Sequence, residues 1–334
     1  ADYLEDCIAS ILEQGIDSYE IICVDDGSTD ATPAVLAKLA EENPRIRVVR
    51  QENQGQGAAR NVGVGLSRGR YIQFVDSDDK LPEGSCAQAL GAAMAEDLDV
   101  LYFDGATFYE SDELAERFES KTTYMRSESH EECVTGIELF KQFKRESAYR
   151  VSPCLAVFKR QLLVENGIRF PEGVIYEDNA FALKVLCVAQ RVEHINKPLY
   201  LRRIREGSTM TAKNARSYFA VYLDMLQFAL KGKWDYATDA FIADELRSIL
   251  GRVRSIYRQL DDAEKLALCT LPPFQESALD SSVAQLVDQL RREKAEKEAK
   301  KAKKEIKRIK TSNSWRIGRK VTAPVRLLKR AGRK

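Results

Sequence analysis

Three groups of carboxylates in this 334-residue sequence stand where short apolar runs end. Asp25 and Asp26 close Ile21-Ile22-Cys23-Val24. Asp76, Ser77, Asp78 and Asp79 close Tyr71-Ile72-Gln73-Phe74-Val75. Glu177 and Asp178 follow Gly173-Val174-Ile175-Tyr176. Between the first two groups runs a stretch of small residues from Asn53 to Asn61 that contains Gly57 and Arg60. Two acids two residues apart at a strand end, Asp76 and Asp78, can face one cavity. Their hard oxygens suit Mg2+ or Mn2+, ions that keep substrate phosphates and water as further ligands. The competing reading of the same acids is the cap of a following helix. The small residues would let a helix start close to a ligand, with Arg60 pairing a phosphate. Equally, they could form a surface turn with a solvated arginine. The stretch is neither the dinucleotide fingerprint nor a P-loop, because the glycine spacing and the Gly-Lys-Ser/Thr are missing.

The elements that must position these groups alternate. Leu4, Cys7, Ile8, Ile11 and Leu12 follow one helical face, with Gly15 as a stop signal. Strands are expected at 20–24, 46–49, 71–75 and 100–103. Helices are expected at 31–42, 56–67 and about 84–95. Such alternation implies a mostly parallel sheet covered by helices, with ligands beyond the carboxyl ends of the strands. Residues 106–135 read as polar and irregular, 136–212 as mixed, and 213–270 as helical. Tyr218, Val221, Tyr222, Met225, Leu226 and Leu230 form one stripe there, whose ordinary role is packing.

Composition narrows the function classes. The chain is 44% apolar and 31% charged, enough for a core. No window approaches the roughly 18 consecutive apolar residues of a membrane span, and Ala1 to Asp6 do not read as a leader. Seven scattered cysteines read as reduced thiols in a cytosolic protein. His130 and His194 are too few for a histidine-rich zinc site. The net charge of +1 conceals an asymmetry. Residues 291–334 hold 19 Lys/Arg and 4 Asp/Glu, while residues 1–290 hold 33 and 47, a balance of −14.

Three segments in order, Cys23-Val-Asp-Asp-Gly-Ser-Thr-Asp30, Asn53-Gln-Gly-Gln-Gly-Ala-Ala-Arg-Asn-Val-Gly63 and Phe74-Val-Asp-Ser-Asp-Asp79, resemble the family 2 inverting glycosyltransferases of the GT-A fold. The resemblance spans about residues 1–210 and takes in Tyr176-Glu-Asp-Asn-Ala-Phe181 and Tyr200–Thr209. It implies a Rossmann-like sheet flanked by helices, then a helical region and a long basic tail. It further implies a nucleotide-sugar donor, a UDP-sugar being the expected form, and a saccharide or lipid-linked acceptor in surface-polysaccharide synthesis. Asp25 would bond the base. Asp26, Gly57, Arg60, Asn61 and Ser77 would line the nucleotide pocket, and Asp76 would contact the ribose. Asp78 would bind the Mn2+ or Mg2+, and Asp178 would be the general base. Glu177, Arg203, Arg205 and Ser208 would close over the diphosphate or acceptor. Family members begin with a strand that this sequence lacks. The expectation is a piece of a longer chain that binds nucleotide weakly or aggregates until the strand is restored. The implied division is 1–105 for the nucleotide half, 106–212 for the acceptor half, 213–282 helical, 283–310 a charged helix and 311–334 a basic tail.

That tail, with Trp315, Ile317, Val321, Val325 and Leu328 ringed by Arg and Lys, suits an anionic membrane surface through residues 312–334. The expected location is therefore cytoplasmic, peripheral on the inner face of the membrane, with no nucleic-acid partner. Docking of the tail on the acidic body is the rival. For the whole chain the rivals are a nucleotidyltransferase and a non-catalytic nucleotide-sugar-binding subunit.

Overall fold

A computed structural model describes residues 1–118, 124–205 and 215–257. The chain divides into two units, 1–260 and 261–334. The second lies outside the described residues, as do the expectations for the charged helix and the basic tail.

The first unit opens with α1 (Leu4–Leu12), whose Leu4, Cys7 and Ile8 are buried as the spacing requires. β1 (Ile21–Asp26), α2 (Thr32–Glu42), β2 (Ile46–Gln51) and α3 (Gln56–Leu66) follow. β1 and β2 pair in parallel from Ile21↔Ile46 to Asp26↔Gln51. Leu4, Ile8, Ile21, Leu36 and Ile46 form the small core beneath them. Next come β3 (Tyr71–Gln73), α4 (Ser85–Ala95), β4 (Val100–Tyr109), α5 (Asp112–Phe118), β5 (His130–Val134) and α6 (Gly136–Arg145). A reciprocal Thr135–Glu138 capping box starts α6. β6 (Ala156–Lys159), α7 (Arg160–Glu165), α8 (Glu177–Val188), β7 (Val192–Ile204), α9 (Ala215–Lys231) and α10 (Tyr236–Tyr257) complete it.

The α/β class holds, but the larger sheet is mixed rather than mostly parallel. Its order is β3-β6-β4-β7-β5. Only β4 and β7 run parallel within it; β6 runs antiparallel to both neighbours, and β5 runs antiparallel to β7. Short β6 enters from more than 80 residues beyond β3 and wedges between β3 and β4, so strand order along the chain is not strand order in space. Among the described residues, β1 pairs only with β2, and β3 only with β6.

β4 is ten residues long where four are expected, and it crosses the 105/106 division without a break. Its polar Asp104 would ordinarily end an apolar run. Here Asp104 is fully buried, accepting from the Arg126 backbone N–H and guanidinium and bonded to His194 Nε2 at 2.9 Å. The register slips on both sides of Asp104. The stretch 106–135 is thus not irregular, since it carries the end of β4, α5 and β5. A single large core, including Phe74, Phe103, Phe158, Phe170, Phe181 and Tyr200, runs across both sides of residue 105. In the helical region Val221, Tyr222 and Met225 are buried, as the stripe implies. Among the described residues no helix is long and apolar enough to cross a membrane.

Candidate active site

The site is built beyond the carboxyl ends of β1 and β3, where two glycine-bearing loops meet. Asp26 accepts the Gln54 and Gly55 N–H groups and the Gln51 amide, all at 2.8 Å. Both its oxygens are therefore used to hold the loop that starts α3. Gly55 stands before that helix at φ 88, which favours glycine. Gly57 lies against the second loop. A Cβ there would sit 2.5 Å from the Pro171 carbonyl oxygen and 3.2 Å from Glu177 Cγ. Asn61 ties the loops again, donating to the Phe170 carbonyl and to Glu172 and accepting the Phe170 N–H, each at 2.9 Å.

These ties aim Arg60 at the carboxylates. Its Nη1 donates to Glu177 Oε1 at 2.7 Å and to Asp178 Oδ1 at 2.9 Å; its Nη2 donates to Asp76 Oδ1 at 2.9 Å. One guanidinium, over the Phe170 ring at 5.4 Å, therefore gathers acids more than 100 residues apart. Below it Phe170 and Phe181 stack at 4.0 Å, with Phe74 edge-on to both. Three carboxylates around one cation leave a surplus of negative charge. Burial opposes the charge on Arg60, but Asp76, Asp178 and Glu177 outweigh it and hold the guanidinium firmly protonated. Burial, then Glu177 and Asp76, push the Asp178 carboxyl well above the usual carboxylate range, against the pull of Arg60. Glu177 is fully buried, and its Oε2 has no partner. Both acids open α8, where a helix start favours negative charge. The residue before them, Tyr176, is held at φ 69, costly for a side chain of this size, and its ring stacks on Tyr218 of α9 at 3.9 Å.

The Asp76–Asp79 turn is clamped by β7. The Asp76 N–H donates to Tyr200 Oη, which donates to Asp79 at 2.6 Å. The Arg203 N–H reaches the other Asp79 oxygen, and its Nε the Asp78 carbonyl. Arg205 Nε bonds Asp78 Oδ2 at 2.9 Å. Burial raises the Asp79 pKa to about 6, with Asp76 and Asp78 adding to the effect. Tyr200 and Asp79 are positioning residues; Asp79 stood in the carboxylate group that closes the Tyr71–Val75 run and Tyr200 in the Tyr200–Thr209 segment, but neither was given a role. Ser77 is exposed in the turn, and Ser208 lies outside the described residues. Asp25 stands apart. It is buried, accepts the Ser28 N–H and lies 3.4 Å from Arg50, with no bond to the Arg60 group.

Among the described residues no group of three His, Cys, Asp or Glu makes a ready cation site. The donors nevertheless fit an ion that shares its shell with a substrate. Asp76 and Asp78 are 45% and 31% exposed, and each uses one oxygen on an arginine. A cleft of about 730 Å³ between α6 and α10 shares no residue with this site.

Residues 1–166 match the family described as Glycosyl transferase family 2. Glycosyltransferase GlyG of Streptococcus pneumoniae is 31% identical over 216 residues, which cover 62% of this chain and 68% of GlyG. The chain belongs to glycosyl transferase family 2. This glycosyltransferase is also 34% identical over 219 residues to the succinoglycan biosynthesis protein ExoO of Rhizobium meliloti, and spans 59% of it. Its fold is that of S. aureus TarS, solved with UDP-GlcNAc. The TM-score is 0.66 at 24% identity, covering 84% of this glycosyltransferase and 76% of the TarS chain. Membership makes the protein a glycosyltransferase.

Proposed function

We propose that this glycosyltransferase moves a sugar from a nucleoside-diphosphate sugar to a hydroxyl of a saccharide or lipid-linked acceptor, with inversion, in cell-surface polysaccharide synthesis. The observation that carries the reading is the single guanidinium that joins Asp76 to Asp178. It sets the acid assigned to the donor within one side chain's reach of the acid assigned to the acceptor. ExoO and the UDP-GlcNAc held by TarS support the polymer and donor classes.

In this mechanism Asp178 accepts the proton of the acceptor hydroxyl as its oxygen bonds to the anomeric carbon. The bond from that carbon to the diphosphate oxygen breaks on the opposite face, and its electron pair leaves with the nucleotide. A carboxylate whose pKa is raised toward the working pH is the stronger base, and such proton transfer is typically worth about 10²–10⁴-fold. Glu177 and Arg60 hold Asp178 in place. Arg203 and Arg205, beside Asp78, face the developing diphosphate charge. Asp76 and Asp78 would hold a Mg2+ or Mn2+, which when bound offsets that charge as a Lewis acid. Asp25 is assigned to the base. Residues 312–334 are assigned to an anionic membrane surface on its cytoplasmic side.

Asp178→Asn tests the reading. Release of free nucleoside diphosphate from UDP-GlcNAc and a panel of other donors should fall about 10²–10⁴-fold, while nucleotide binding by calorimetry is kept. Unchanged turnover, or loss of binding in step with turnover, contradicts the role of base.

A further inference from the structure

A second charged site lies at the other end of β3. Arg68, Arg70, Lys159 and Arg160, with Asp97, line a depression of about 390 Å³. Arg70 precedes the first residue of β3 and Asp76 follows its end. At the rise of a strand, these six residues set the depression and the Arg60 group up to about 20 Å apart.

Two of the four cations are fixed side by side. Asp97, itself at φ 47, uses one oxygen to hold both Arg70 Nη2 at 2.6 Å and Lys159 Nζ at 2.8 Å. β6 delivers Lys159 and Arg160 to this place by pairing antiparallel with β3, so that Lys159 faces Tyr71. The Arg160 backbone N–H bonds the Arg70 carbonyl at 2.9 Å, and both residues line the depression. Arg160 Nε is buried without an acceptor, and Arg160 joins none of the ion pairs seen among the described residues. Arg68 is 81% exposed and, among the described residues, pairs with Glu20 at 3.3 Å. Counting Glu20 and Asp97, the group keeps two positive charges on a body whose first 290 residues sum to −14. Cations gathered this closely around a depression on an acidic body can take acceptor oxygens from a ligand. A tetrahedral oxyanion supplies several at once to guanidinium and ammonium groups.

We propose that this depression binds a phosphate group, carried either by a free anion or by a phospholipid headgroup, at a site separate from the catalytic centre. Lys159 reports on it in the unaltered full chain. Its acetylation by an amine-reactive ester, read by peptide mass spectrometry, is followed with rising orthophosphate at constant ionic strength. In a second arm it is followed with phosphatidylglycerol vesicles against phosphatidylcholine vesicles. The expected result is at least threefold slowing at Lys159, while Lys38, 62% exposed and paired with Glu5, reacts as before. Slowing by orthophosphate assigns a free anion. Slowing by phosphatidylglycerol alone assigns a headgroup. In Arg160→Gln the slowing should disappear. Lys159 reacting at one rate in every condition overturns the proposal, as does protection that persists in Arg160→Gln.

Discussion

Arg60→Met removes the charge at the centre of the site and leaves a shorter, unbranched apolar stem. In the native protein Arg60 is 11% exposed and makes three charge-assisted bonds of 2.7–2.9 Å. Its three partners will not suffer equally. Asp76 is 45% exposed and regains water, so its loss is small. Asp178 keeps a quarter of its exposure and is intermediate. Glu177 has none, and its second oxygen is already without a partner, so the variant buries a carboxylate with both oxygens unmet. Breaking a buried ion pair from one side costs about 3–5 kcal/mol. Urea unfolding at pH 7 should therefore show a loss of about 3–5 kcal/mol. Adding Glu177→Gln should recover about 2 kcal/mol or more of it at pH 7. A loss below about 1 kcal/mol would refute the account of Arg60 as the neutralising hub.

Glu177→Gln in an otherwise native protein removes one of the charges that raise Asp178. The acid limb of kcat/KM should therefore move to lower pH, and an unmoved limb counts against electrostatic coupling of the pair. Asp79 has its pKa raised to about 6 in the fold, against 3.8 ordinarily. It therefore favours the folded state below pH 4, and that contribution is lost as pH rises through 6. Asp79→Asn should gain on the wild type by about 2–3 kcal/mol between pH 4 and 7 in urea unfolding; a constant difference would show that Asp79 is not buried as a charge. Gly57→Ala places a methyl 2.5 Å from the Pro171 carbonyl oxygen. It should cost about 1–3 kcal/mol, read as a lower Tm by calorimetry, and an unchanged Tm would mean the second loop yields freely.

Much of this was legible in the sequence wherever a residue's neighbours along the chain decide its place. The helical face of α1 and the strand-end positions of Asp25 and Asp76 follow from local periodicity. The resemblance brought Asp178 into the same site, and the geometry puts Asp76 and Asp178 on one guanidinium. What escaped was set by distant partners. Asp104 reads as a strand end until Arg126 and His194 neutralise and bond it inside the core. Asp26, Gly57 and Asn61, assigned to the nucleotide pocket, bond or pack against protein groups that hold the two loops together. β6 is three apolar residues and a lysine, and nothing in them says which strands they will separate.

The clamp from β7 onto the Asp76–Asp79 turn bears on how the enzyme comes into being. Tyr200 and Arg203 meet that turn across more than 120 residues of chain, and α8 meets Arg60 across 117 or more. Contacts of such sequence separation close late, because the chain's entropy is spent before they return anything. During synthesis the helices and the β1–β2 pair can form as they emerge, but the catalytic constellation waits for β7. A ribosome-bound chain halted before residue 200 should therefore carry folded structure and no transferase activity.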